Sequence, residues 1–326
     1  MSSSKVLAIC GGVGGAKLAL GLYRMLPPGD LFLCVNTGDD FEHLGLHVSP
    51  DLDTVMYTLA GFENPETGWG RRGETWTFMR ALETLGGETW FRLGDGDLAT
   101  HVERTRRLRA GETLSEVTTD LARRLGIKAE LLPMSDGPVR TVVETAEGAL
   151  PFQRYFVARR CEPAVRRIAF EGADRAVPNP EIIAALGSLD LRAVVICPSN
   201  PYLSVDPILA MPSLRQALAK RAAPAVAVSP VIGGRAVKGP TAKIMGELGI
   251  PLTQASIARH YDDLVDGLVI DKSDQSEAAS LSIPVRSTRT LMTSLEDRER
   301  LAREVLDFAA SLDRRLRPGT EARRAR

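Results

Sequence analysis

The sequence predicts an α/β protein with a Rossmann-like, mainly parallel sheet, helices on both faces and an inserted smaller, partly helical lobe. Three observations predict it. Short apolar runs of strand length recur along the chain, as suits strands buried in a parallel sheet. Helix-like sequence stands before or after each run, the pattern of repeated crossover units. Glycine-rich or polar clusters follow the runs, and open α/β sheets bind ligands outside the carboxyl ends of their strands.

The elements follow in order. Residues 6–10 (VLAIC) form the first strand, ending in Gly11, Gly12, Val13, Gly14 and Gly15. A helix over 16–25 is read from Lys17, Leu18, Leu20 and Leu22. Residues 31–35 are a second buried strand, followed by the polar NTGDD, 36–40. From about residue 59 to 167 the character changes, with Trp69, Trp76 and Trp90, several glycine turns, an amphipathic stretch over 114–125 and a strand-like alternation over 152–158. That stretch, 59–167, is expected as the lobe covering the cleft, with 1–58 and 168–326 forming the nucleotide-binding core. Further strands are expected at 192–196, 225–228 and 268–270, and further helices at 180–186, 206–220 and 241–248.

Composition bounds the class. The 326 residues can bury a substantial core, as one large α/β domain or two modest ones. Lys plus Arg number 41 and Asp plus Glu 41, so no net field steers the chain toward nucleic acid or membrane. The basic tail, 314–326, reads as a solvated end. No apolar stretch approaches the roughly 20 residues of a membrane span, and the N-terminus lacks the apolar core of a signal peptide. Cys10, Cys34, Cys161 and Cys197 are scattered without C-x-x-C spacing, which suits free thiols in a reducing cytoplasm.

Strand, glycine cluster and helix together present backbone N–H groups and a positive helix end to an anion. Two familiar loops fit this cluster badly. A Walker loop needs Gly-Lys before Ser or Thr, whereas Lys17 stands between Ala16 and Leu18. The dinucleotide fingerprint needs a third glycine where Lys17 lies. Gly11, Gly12, Gly14 and Lys17 are therefore candidates for holding an anion other than NAD, and the alternative is a tight turn without a ligand. Asp39, Asp40, Asp51 and Asp53 gather near one strand end, natural oxygen ligands for Mg²⁺ beside a diphosphate. Asp51 reads first as a helix cap. FRLGDGDLATH groups Arg92, Asp95, Asp97 and His101, with a solvated turn into a helix as the plainer reading. LLPMSDGPVRT is a fixed loop bracketed by Pro133 and Pro138. Asn200 in PSNP offers both donor and acceptor groups. SPVIGGRAVKGP, with Ser229, Gly233, Gly234, Lys238 and Gly239, is a second anion-suited loop, and two such loops suit a nucleotide diphosphate. No Ser-His-Asp arrangement or His/Cys zinc spacing is apparent.

GGVGGAK, NTGDD, SPDLDTVMYTLAG, GWG…ETW, LGDGDLATH, LLPMSD, PSNP, SPVIGG…KGP and a late LMTS occur in this order across nearly the whole chain. Together they resemble the 2-phospho-L-lactate transferase family of deazaflavin coenzyme F-420 biosynthesis. The resemblance implies transfer of a phospho-acyl group (phospholactate, phosphoenolpyruvate or phosphoglycerate) from a guanosine diphosphate conjugate to the ribityl hydroxyl of the deazaflavin Fo. GMP leaves, Mg²⁺ is required, and the enzyme is a homodimer. It implies Fo contacts at Asp53, Arg92, Met134, Ser135 and Asp136. On the guanine nucleotide side it implies Ser199, Asn200, Ser229, Pro230, Gly233, Lys238 and Gly239. Mg²⁺ is expected on Asp39 or Asp40, with Lys17 taking developing charge and Asp53 orienting or deprotonating the attacking hydroxyl. Gly96 stands where the family usually has Arg, and Gly137 where a second acidic residue is usual. Two other readings are a non-catalytic nucleotide-sugar-binding regulator of the same fold and an NAD-dependent dehydrogenase, the second disfavoured by the glycine spacing.

Overall fold

The computed structural model describes residues 4–237 and 239–312. Seven strands form one sheet in which every neighbouring pair is parallel. In chain order they are β1 (Lys5–Cys10), β2 (Leu31–Val35), β3 (Glu130–Pro133), β4 (Leu191–Ile196), β5 (Ala225–Val228), β6 (Gly267–Asp271) and β7 (Val285–Thr288). Across the sheet they run β3-β2-β1-β4-β5-β6-β7. The order reverses between β1 and β4, which fixes the crevice of a doubly wound sheet above that pair. The expected α/β class is observed.

Alternation along the strands feeds two cores. Leu7 and Ile9 join one buried cluster with Ile196, Leu214 and Ile257; Val6, Ala8 and Cys10 join the other with Leu18, Leu22 and Val305. Both faces are thus covered by helices, which explains why the strand sequences are apolar without a polar side. On the second face, α1 (Gly12–Met25) packs against the last helix, Leu295–Leu312. Gly21 permits it, since a Cβ there would stand 2.2 Å from the carbonyl oxygen of Arg298.

Three expectations are revised. β3 comes from within the stretch 59–167, so the main sheet draws a strand from the sequence expected to form the lobe. Residues 152–158 do not form a strand: Arg154–Ala158 is a wide helical turn, and the antiparallel sheet beside it is built from Arg140–Thr145, Gly148–Pro151 and Val165–Glu171. The helix expected over 206–220 is broken into Asp206–Leu209 and Pro212–Lys220. Pro212 opens the second piece, because a proline lacks the N–H needed further inside a helix. Cys10, Cys34 and Cys197 are buried and all four cysteines are free. Among the described residues, no helix is long and apolar enough to cross a membrane.

Candidate active site

A cleft of about 770 Å³ opens above the β1/β4 crevice. Its floor is the glycine cluster, which is not an open loop. Gly12, Gly14 and Gly15 are already in the first turn of α1, and Gly12 starts it with φ +61°. The glycines are required by close approach: a Cβ on Gly14 would lie 2.3 Å from the Pro198 carbonyl oxygen, and one on Gly15 2.4 Å from Ser199 Oγ. Ser199 latches the two strand ends together, accepting from the Gly11 N–H (3.1 Å) and donating to the Gly11 carbonyl (2.9 Å).

Asp51 also differs from expectation. The helix α2 (Pro50–Ala60) starts after Ser49, and Asp51 does not cap it. Its Oδ1 instead accepts from Gly12 N–H at the head of α1 (2.8 Å), and its Oδ2 accepts from Asn36 Nδ2 (2.9 Å). Burial pushes its carboxyl up to about 6. Burial, and then the neighbouring Asp51, also push the Asp39 carboxyl up, and Asp39 Oδ1 has no hydrogen-bond partner among the described residues. Asp39 lines the cleft; Asp40 does not, since its Oδ2 faces His47 Nε2 (3.1 Å) and accepts from Ser49 Oγ (2.8 Å).

Asp53 sits on α2, facing the helix α3 (Asp95–Arg109). Arg104, fully buried, grips both Asp53 oxygens. Burial opposes the Arg104 charge, but the Asp53 carboxylate outweighs it and raises the guanidinium's pKa. His101 Nδ1 lies 3.7 Å from Asp53 Oδ2, and its Nε2 3.1 Å from Asp97 Oδ2. Tyr57 donates to Asp97 Oδ1 (2.7 Å). Burial alone would raise the Asp97 carboxyl, yet its bond to His101 holds it below the usual value. Asp53, Asp97 and His101 bring ligand atoms within 4.8 Å of one another, as a cation site would need. Arg104 already supplies positive charge there, so the cluster reads as a buried ion-pair network.

Glu74 holds the start of α3 in place, accepting from the N–H groups of Gly96 (2.7 Å) and Asp97 (2.8 Å). Asp95 returns the favour to the neighbouring helix Thr77–Thr84, accepting from Thr77 and Phe78 N–H (both 3.0 Å). Such caps satisfy the N–H groups that a helix start leaves free.

The cleft walls are aromatic. Trp69, Trp90, Phe91, Phe152 and Phe156 line it, with Phe152 and Phe156 stacked at 5.3 Å. Arg92 lines it too, its guanidinium 4.1 Å from the Trp76 ring centre. Lys17 lines the floor and donates to the Met292 carbonyl (2.9 Å). Asn200 turns its side-chain oxygen to the N–H groups of Tyr202 and Leu203, leaving a buried Nδ2 at the cleft without a partner among the described residues.

Of the residues expected from the sequence, the structure brings Gly11, Gly12, Gly14, Lys17, Asp39, Asp53, Arg92, Ser199, Asn200, Ser229, Pro230 and Gly239 to this cleft. It does not bring Met134, Ser135 or Asp136. Met134 is core, Ser135 Oγ donates to the Val177 carbonyl (2.7 Å), and Asp136 accepts from Ser115 N–H and Oγ (both 2.7 Å). Gly233 and Gly234 form a tight turn with φ +57° and +66°, and their N–H groups go to Asp274 (2.8 and 3.1 Å) instead of an incoming anion. Lys238 lies outside the described residues, as does the tail 314–326. Arg104 and Tyr57 were not anticipated. The signal for Arg104 was the spacing Asp97, His101, Arg104, which puts three side chains on one helix face.

The family model described as 2-phospho-L-lactate transferase CofD matches residues 6–308. A phosphoenolpyruvate transferase of Streptomyces griseus is 41% identical over 314 residues, 94% of this chain and 98% of that protein. A 2-phospho-L-lactate transferase of Methanopyrus kandleri is 40% identical over 312 residues, with the same coverage of 94% and 98%. Another from Methanosarcina mazei is 37% identical over 304 residues, 92% of this chain and 99% of that one. A crystal structure of a UPF0052 family member from Bacillus halodurans superposes with a TM-score of 0.61 at 14% identity, over 94% of this chain and 99% of that one, a likeness of fold. With motifs, fold and relatives in agreement over nearly its whole length, the chain belongs to the 2-phospho-L-lactate transferase family.

Proposed function

We propose that the protein transfers a phosphorylated three-carbon acid, of the phosphoenolpyruvate or phospholactate type, from a guanosine diphosphate conjugate to the ribityl hydroxyl of the deazaflavin Fo, releasing GMP. It acts in the cytoplasm in coenzyme F-420 biosynthesis, as a homodimer by analogy with the family. The observation that carries the reading is one cleft joining a floor at the sheet's reversal point to an aromatic wall. The floor suits a diphosphate and the wall suits a flat tricyclic acceptor.

The residues present fit a divalent cation. Asp39 is buried with an oxygen that has no partner among the described residues, and Asp51 beside it adds a second carboxylate. Asp39 and Asp51, with diphosphate oxygens, would hold Mg²⁺, an oxygen-ligated ion that commonly takes one or two carboxylates. When bound, Mg²⁺ neutralises charge on the diphosphate. Asn200 Nδ2 and the Ser229–Pro230 backbone meet the nucleotide, and Lys17 takes negative charge developing on the leaving GMP. Arg92, over the Trp76 ring, holds the acceptor. Arg104 uses one lone pair on each Asp53 oxygen, which leaves a second to accept the acceptor's hydroxyl proton. Asp53 thus orients the hydroxyl toward the phosphorus and takes its proton as the P–O bond forms. A melting comparison tests the nucleotide class. GDP with Mg²⁺ at 100 times its Kd stabilises the native state by about 2.7 kcal/mol, and NADH does nothing. Stabilisation by NADH but not by GDP would refute the reading.

A further inference from the structure

Three arginines in the stretch RYFVARR, 154–160, go separate ways. Arg154 lies over the Trp90 ring (4.1 Å) and reaches Glu88 (3.2 Å), and Arg159 donates to Glu147 (2.8 Å). Arg160 alone of the three lines the cleft. It is exposed, and among the described residues it has no hydrogen bond, ion pair or ring contact. Among the described residues the other lysine and arginine that line the cleft are engaged, Lys17 with the Met292 carbonyl and Arg92 with Trp76.

The turn that delivers Arg160 is fixed. Arg160 and Cys161 both have left-handed backbones, φ +47° and +58°, which side-chain-bearing residues seldom adopt. Cys161 N–H donates to the Tyr155 carbonyl (3.0 Å) and Glu162 N–H to the Arg159 carbonyl (2.8 Å). Tyr155 is fully buried, and Lys243 Nζ ties its hydroxyl (3.3 Å) to the Pro163 carbonyl (3.0 Å). A strained turn clamped from beneath holds a cation at the cleft with no counter-charge among the described residues. Such strain persists only where surrounding structure enforces it, and it clusters at ligand sites.

We infer that Arg160 is a specificity-determining residue that binds the carboxylate of the three-carbon acid on the donor. The inference rests on the transferase reading. Within it the diphosphate already has the floor of the cleft, and the ribityl chain that attacks is uncharged. The acid's carboxylate is the anionic group that accompanies the reacting phosphorus, and a guanidinium fork matches it with two parallel hydrogen bonds.

The test compares GDP with the guanosine diphosphate conjugate of enolpyruvate, binding each to wild type, Arg160→Ala and Arg160→Lys by calorimetry, with melting curves to show that all three fold. Arg160→Ala should weaken conjugate binding by about 10- to 100-fold while GDP stays within about twofold. Arg160→Lys should recover only part, since an ammonium lacks the fork. Unchanged conjugate binding in Arg160→Ala would overturn the assignment. An equal loss for GDP would overturn it too, by placing Arg160 on the diphosphate. Wild type binding neither ligand would instead defeat the transferase reading on which the assignment stands.

Discussion

Replacing Asp53 by Asn separates the chemistry of this site from its architecture. Asn keeps the shape and one acceptor for Arg104, but it removes the negative charge facing a fully buried guanidinium. Breaking a buried ion pair by removing one partner typically costs about 3–5 kcal/mol. The retained acceptor puts this case at the low end, about 3 kcal/mol, which at about 2 °C per kcal/mol lowers Tm by about 6 °C. Turnover should fall further than stability explains, by about 10²-fold or more, because the amide cannot take the hydroxyl proton. GDP affinity should stay near wild type, since the nucleotide residues lie on other loops. The double substitution Asp53→Asn/Arg104→Met removes the orphaned charge and should regain most of the lost Tm without regaining turnover. Melting by calorimetry and steady-state kinetics on the three proteins are the assays. An Asp53→Asn enzyme with wild-type Tm and wild-type turnover would refute both the buried pair and the proton-accepting role.

Other outcomes follow from the same geometry. Asp39→Asn should lower turnover and flatten its dependence on Mg²⁺, while Asp40→Asn, away from the cleft, should change stability more than metal dependence; titrating activity against free Mg²⁺ distinguishes them. Gly14→Ala should be destabilising, because its Cβ would stand 2.3 Å from the Pro198 carbonyl oxygen, and a melting curve checks it. Glu74→Ala, which frees two helix-start N–H groups, should cost about 1–2 kcal/mol in a denaturant titration. The Asp97 carboxyl is held below its ordinary value in the folded protein, so its contribution is present above the unfolded pKa and is lost as pH falls through the folded one. Asp97→Asn should therefore show a shallower loss of stability in acid than wild type.

Much of the sheet was legible because its strands are buried on both faces and read as unbroken apolar runs, as in 6–10 and 31–35. β3 was hidden, since Glu130–Pro133 is four residues long and ends in a proline that an edge position tolerates. The alternation over 152–158 misled because Phe152 and Tyr155 are buried on a helical turn with three-residue spacing. The glycine cluster was read as an anion cradle. In the fold, two of its N–H groups are already taken, by Ser199 and Asp51, and the glycines also serve to let two loops touch. Long-range pairings of this kind leave no local trace. Asp51 reads in the sequence as a cap, and Arg104 gives no sign of its ion pair, for the same reason: their partners are 39 and 51 residues away. Gly96 explains itself only in three dimensions, its N–H given to Glu74 and a Cβ there 3.1 Å from the Glu74 carboxylate.

The most direct test of the central claim is the mass of the product formed when the purified protein is incubated with Fo, Mg²⁺ and the guanosine diphosphate conjugate of enolpyruvate or of lactate. The account predicts a new species with the mass of Fo plus the phosphorylated acid less water, with GMP released in equal amount. Unchanged Fo with both conjugates, under conditions in which the protein binds GDP, would contradict it.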